Sequence, residues 1–424
     1  MQSLAIIGSG IAGLGCAHFL HRDYDITVFE QNDYVGGHTN TVLVNEQGHP
    51  LPIDTGFMVY NDVTYPNLSR LFRELSVETK ATCMSFSVQQ VPLKLEYCGS
   101  SLSQLFAQRR NLLNPRFIRM LRQVDRFNRE ASDSLDNAQW VGATLREYVE
   151  ARGYGQDLLD LYLVPMSAAV WSASQAAMLD FPAQTLLRFF HNHGFLGMHT
   201  QHPWRTVAGG AHSYVNRLIA PFAGRIQLGQ PVTRVVRQRS QVTVVTSSGW
   251  VRAFDKVILA CHADQALRLL KDPDPEQVRL LGQFSYQSNR ATLHTDSSVM
   301  PKARRAWASW NYRVDATQPS GASTIYWMNR LQSLPSQQQY FVSINDPGGI
   351  DPTRVLRQIL YHHPLFDLAA VKAQSNLPGL NQVSPEQAVY FCGSYFKYGF
   401  HEDALNSALN LCSTLLRRSV WKAA

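Results

Sequence analysis

Three glycines and one acid carry the first chemistry in this chain. Gly8-x-Gly10-x-x-Gly13 sits between an apolar run, Leu4–Ile7, and a stretch of small apolar residues ending at Leu20. A strand that turns at once into a helix needs glycine at each point. Gly8 supplies unusual backbone angles, Gly10 admits a pyrophosphate against the main chain, and Gly13 lets the helix lie close on the sheet. The N–H groups at the helix start then face the phosphates. About twenty residues after Gly10, the apolar run Ile26–Phe29 ends at Glu30, whose carboxylate can hold both hydroxyls of a ribose. Strand, glycines, helix, strand and acid therefore predict a dinucleotide site, open to NAD and FAD alike.

A second glycine pair, Gly36-Gly37, follows the acid and is followed by His38-Thr39. A nicotinamide site does not require this pair. Near the other end, Ala388–Phe391 reads as a strand running into Cys392-Gly393-Ser394. His401-Glu402-Asp403-Ala404 then opens a helix with an apolar stripe through Leu405, Leu409, Cys412 and Leu416. With these motifs the sequence resembles the amine oxidase and phytoene desaturase superfamily of FAD proteins. Gly36–Thr39, Ile53–Phe57, Asn111–Pro115, Trp204-Arg205 and His401–Asp403 are similar to a bacterial subgroup associated with cyclopropane-type fatty-acid methyltransferases, with members that desaturate modified acyl chains.

The resemblance implies an α/β fold: a Rossmann-like FAD-binding domain with a discontinuous α+β substrate domain of antiparallel sheet and helices. It assigns residues 1–85, 205–270 and 380–424 to the first, and 86–204 with 271–379 to the second. It implies non-covalent FAD held by Gly8, Ser9, Gly10, Ile11, Ala12 and Gly13, and at the ribose by Glu30 and Gln31. Gly36, Gly37, His38 and Thr39 would cover the pyrophosphate, Thr55, Gly56 and Phe57 would underlie the flavin, and Val232 would touch the adenine. Gly393, His401, Glu402 and Ala404 would complete the site. His38 stands where the superfamily carries arginine; it can donate one hydrogen bond to phosphate, charge-assisted when protonated, or be an ordinary turn residue.

The resemblance also implies hydride transfer to the flavin. In amine-oxidising relatives a lysine reaches the flavin through water; here Asn289 falls at the corresponding position, and no lysine lies between Lys271 and Lys302. The leading expectation is thus oxidation or desaturation of an apolar, fatty-acyl substrate, with His401, His294 and Tyr312 as candidate proton acceptors. The alternatives are a double-bond isomerase of unsaturated fatty acids, an amine oxidase, and a non-catalytic lipid-binding protein steadied by FAD.

Arginines at 109, 110, 116, 119, 122, 126 and 129 interleave with Phe117, Leu121, Val124 and Phe127, an apolar set at helical spacing. Residues 101–131 thus predict either a solvated basic helix or a peripheral contact with a membrane surface. Residues 144–190 read as helices broken at Gly153, Gly155, Pro165 and Pro182, and aromatic, β-branched strands follow at Arg290–Asp296, Ala306–Tyr312, Ser323–Met328 and Tyr340–Ile344. His191, His193, His199, His202 and His212 match no common zinc spacing, so no metal is expected. The net charge of +7, from 39 basic and 32 acidic residues, comes without a nucleic-acid motif. Six cysteines without CxxC spacing read as reduced thiols of a cytoplasmic protein, and no run reaches the roughly eighteen apolar residues of a membrane span.

Overall fold

A computed structural model describes residues 1–197, 200–238, 241–315, 321–382 and 388–421. Ser3–Ile7 is the middle strand of a five-stranded parallel sheet, ordered Ile226–Gln227, Asp25–Phe29, Ser3–Ile7, Lys256–Leu259 and Val389–Phe391. Leu4, Ala5 and Ile6 are wholly buried, which explains why this run is continuously apolar rather than alternating. The helix Ile11–Leu20 packs against the C-terminal helix His401–Leu416. Gly15 sits at this contact, where a Cβ would lie 3.2 Å from Leu405 Cδ1 and 3.4 Å from Ala408 Cβ.

A second sheet of seven strands faces this body. Its order is Val355–Leu365, Ser285–His294, Phe341–Ile344, Ala322–Trp327, Trp310–Val314, Phe86–Gln90, Leu95–Cys98. All neighbours are antiparallel except Trp310–Val314 and Phe86–Gln90, which run parallel. The four strands expected between 290 and 344 are present, with shifted ends. The strand Val355–Leu365 was not anticipated: its 11 residues are mostly exposed or half-buried, and Pro364 falls near its end. Ile226–Gln227 pairs with Val28 and Phe29 of the parallel sheet. Val232–Arg237, Val242–Thr246 and Val251–Phe254 form their own antiparallel sheet.

Helices cover the seven-stranded sheet. Pro115–Asp133 is capped by Asn114, whose side chain accepts from the N–H groups of Arg116 and Phe117, and it buries Phe117, Met120, Phe127 and Ala131. Val164–Trp171 and Ala183–Asn192 follow, the former after a π-helical turn at Leu159–Leu163. Within it, Pro165 has no N–H to donate.

Candidate functional site

A cavity of about 810 Å³ lies between the two sheets. One part of its wall is the glycine turn. Gly8 has φ +108°, and a Cβ there would lie 2.6 Å from the Ala260 carbonyl oxygen. A Cβ on Gly13 would lie 1.9 Å from the Gly8 oxygen, so the helix can touch the turn only without one. Gly10 differs: nothing lies within 4 Å of its missing Cβ, which faces open space in the cavity wall. Gly37 closes over this turn, 3.1 Å from the Gly10 Cα by the same measure, and Gly56 brings its segment against the His38 carbonyl. Glu30 is buried at the edge. Its carboxylate accepts from Ser9 N at 2.9 Å and Ser9 Oγ at 2.6 Å, and from Asn32 N and Nδ2.

Beyond the glycines, His38, His262, His362 and His363 border the cavity together. His38 stacks on Tyr361, with ring centres 4.9 Å apart, and lies 5.1 Å from His363. His262 stacks on Tyr286 at 4.3 Å. Asn289 sits behind this group. Its Oδ1 accepts from Gln287 and Asn345, so its Nδ2 donates to His363 Nδ1 at 2.6 Å. His363 therefore carries its proton on Nε2. Burial lowers the pKa of His38 to about 4 and of His262 to about 3, and pushes His363 well below its usual value. The His38 Nε2 is buried without a partner. A neutral imidazole with an unused nitrogen beside an open glycine turn suits a phosphate oxygen.

The C-terminal helix begins at the cavity, which Gly399, Phe400, His401 and Ala404 line. Its first-turn N–H groups have no intrahelical acceptor, and the helix dipole favours negative charge there. The rest of the wall is apolar and aromatic, including Phe57, Tyr65, Phe86, Met166, Trp171, Phe189, Trp310 and Tyr326.

Of the residues singled out in the sequence, Gly8, Ser9, Gly10, Ile11, Ala12, Glu30, Gln31, Gly36, Gly37, His38, Gly56, Phe57, Val232, Gly393, His401 and Ala404 border this one cavity. Others stand behind it. Gly13 acts through helix packing. The Thr39 hydroxyl shares hydrogen bonds with Tyr214 and His401, and Thr55 bonds the Asn40 carbonyl and Tyr361. Glu402 turns away from the cavity: it accepts from Asn67 N, Asn67 Nδ2 and Leu68 N, and so caps the helix Pro66–Glu74.

Two candidate bases lie elsewhere. His294 is wholly buried in the seven-stranded sheet; Nδ1 accepts from Asp296 N, which leaves Nε2 to donate to Ser343 Oγ at 2.8 Å. Both ring nitrogens are thus committed within the sheet. Tyr312 lies two residues along from Trp310 and opens instead on a second cavity of about 530 Å³, walled in part by Gln175, Gln287, Arg290 and Asn345. Only His401 borders the main cavity. Its ring stacks on Phe57 at 4.0 Å, Nε2 meets Tyr214 Oη at 2.6 Å, and burial lowers its pKa to about 3. That geometry positions Phe57 and Tyr214 better than it accepts a proton.

His262, Tyr361, His362 and His363 were missed, although the doubled histidine after an aromatic residue is a visible signal. Cys392 is buried with its Sγ 3.7 Å from that of Cys16, and it does not border the cavity. All six cysteines are free. His193 stacks on Phe189, His202 meets the Asn192 carbonyl, and His199 lies outside the described residues. Among the described residues no group of three or more His, Cys, Asp or Glu is arranged to hold a metal ion.

Parallel sheet, glycine turn, ribose acid and a C-terminal helix aimed at the same cavity form a dinucleotide site that suits FAD. The chain belongs to the flavin-containing amine oxidoreductase family, whose model matches residues 11–330. It is 23% identical to polyamine oxidase 3 of Oryza sativa subsp. japonica over 270 residues, which are 61% of this chain and 51% of the relative. The chain thus matches about half the length of that curated relative. Among solved structures it is similar to a putrescine oxidase redesigned at its cofactor site, with TM-score 0.69, 14% identity and 99% of each chain covered. It is also similar to a conjugated-linoleic-acid-producing fatty acid isomerase from P. acnes, with TM-score 0.68, 14% identity and 98% of each chain covered. Cyclohexylamine oxidase from Brevibacterium oxydans gives 0.67 at 15% identity, covering 98% of this chain and all of that one. At these identities the likeness is one of fold.

Proposed function

We propose that this FAD-dependent oxidoreductase removes hydride from a carbon of an uncharged, apolar substrate, a fatty-acyl chain, leaving a new double bond. FAD, held non-covalently, supplies the hydride acceptor. With FAD bound, a C–H electron pair of the substrate would pass to it as hydride and the proton of the neighbouring carbon would be released to water. The protein's part is to bind and orient the chain in an aromatic chamber between Phe57, Trp171, Trp310 and Phe400.

One observation carries this reading: the cavity wall offers no counter-charge to a polyammonium substrate. Its sole acid among the described residues is Glu30, which lies at the glycine turn and is held by Ser9 and Asn32. Burying an ammonium group without a carboxylate partner is costly, whereas an acyl chain matches the wall. The resemblance to a subgroup associated with cyclopropane-type methyltransferases supports a modified acyl chain.

The test is anaerobic mixing of the holoprotein with a panel of acyl chains, free and phospholipid-bound, and with putrescine and cyclohexylamine. Bleaching of the oxidised flavin band by an acyl chain, with a product two mass units lighter, is expected. Bleaching by the amines alone would sink the proposal. A product of unchanged mass with a moved double bond would favour an isomerase.

A further inference from the structure

Residues 91–113 hold three cations, Lys94, Arg109 and Arg110, against one acid, Glu96. That acid is buried: its carboxylate accepts from Lys302 N at 2.9 Å and Ala303 N at 2.8 Å. Its charge is therefore withdrawn from the surface, while the same contact brings up the turn with exposed Lys302, Arg304 and Arg305. On this basic face stand four exposed leucines. Leu93 is 44% exposed, Leu102 66%, Leu112 52% and Leu113 89%.

Leu93, Leu112 and Leu113 belong to one surface. The Arg110 guanidinium donates to the Lys94 carbonyl, and Gln108 Oε1 accepts from Glu96 N at 3.1 Å. The hairpin turn holding Leu93 is thereby fastened to the 3-10 turn Arg109–Leu113. The helix that follows does not supply this face. Its apolar side is buried, Arg116 pairs with Asp157, Arg126 with Glu130, and Arg129 with Asp125. The basic and apolar character expected over 101–131 therefore concentrates in the turns before the helix, with Arg119 and Arg122 as cations having no ion pair among the described residues.

We propose that this face docks on the surface of an anionic phospholipid bilayer. Leu112 and Leu113 enter the boundary between headgroups and acyl chains, and Arg109, Arg110 and Lys94 meet lipid phosphates. Scattered exposed leucines are ordinary, but leucines beside cations with the local acid buried match the two-part chemistry of a lipid interface. Each cation near such a surface strengthens partition roughly five-fold. The inference does not depend on what the enzyme oxidises, since it concerns a different face.

The experiment is flotation of the holoprotein with vesicles of phosphatidylcholine alone and of phosphatidylcholine mixed with phosphatidylglycerol. We expect binding to the mixed vesicles only, weakening as salt is added. Leu112→Ser/Leu113→Ser and, separately, Arg109→Gln/Arg110→Gln should each lower it by about tenfold or more. These side chains are exposed, and unchanged flavin absorbance will confirm that the variants remain folded. Absence of binding to anionic vesicles, or binding that neither variant alters, overturns the proposal. So does concentration-dependent self-association that the leucine variant abolishes without any vesicle binding, which would make the face an interface between copies.

Discussion

Two glycines three residues apart make opposite demands. Gly10 leaves open space where its Cβ would be, so Gly10→Ala should preserve folding while lowering FAD affinity by about tenfold or more, read by flavin titration of the apoprotein. Gly13→Ala places a methyl group 1.9 Å from a backbone oxygen and should destabilise the fold by about 3 kcal/mol in a denaturant melt. Equal loss of FAD affinity and stability in both variants would show that Gly10 does not face the cofactor. This distinction was legible in the sequence, because the roles of these glycines follow from a local turn. The histidine group was not. His38, His262 and His363 come from three distant segments, and only the pairing of Ser285–His294 with Val355–Leu365 sets His363 against Asn289. His294 failed for the same reason: its sequence neighbours say nothing of Ser343, which arrives on another strand.

Elements explain the largest change of role. Glu402 opens the C-terminal helix, where acid is favoured by the dipole, and its carboxylate reaches the start of a second helix, Pro66–Glu74. Removing it with Glu402→Ala should cost about 1–2 kcal/mol, measured as a lowered Tm, with FAD affinity little changed. A large loss of affinity with unaltered Tm would return Glu402 to the cofactor. Periodicity located the C-terminal helix and most strands because burial stripes are written into them. It missed Val355–Leu365 because the strand is a sheet edge, with Leu356 and Leu360 exposed and little buried side to betray its period.

For the whole molecule, buried titratable groups set the acid limit. His38, His193, His262, His294 and His401 have folded pKa values of about 3 to 4, below the usual 6.5. The unfolded chain gains protons below 6.5 that the folded one refuses, so this stability is full above 6.5 and is lost as pH falls toward 4. Asp54 and Asp403, raised by burial to about 7 from 3.8, act oppositely and cost stability as pH rises from about 4 to 7. Near pH 5 the five histidines outweigh the two acids, each proton of difference being worth about 1.4 kcal/mol per pH unit. Calorimetry should therefore give a clearly lower Tm at pH 5 than at pH 7; a level or rising value would contradict these burials. The parallel sheet has one more consequence, for the order of events during synthesis. Its middle strand, Ser3–Ile7, emerges first but must wait for Lys256–Leu259 to gain its second neighbour, and the cavity wall closes only with 393–404. At roughly 5–20 residues per second, the first strand spends roughly ten to fifty seconds without that neighbour. Cofactor capture must therefore await 393–404, and until then the buried residues of Ser3–Ile7 lack part of their cover.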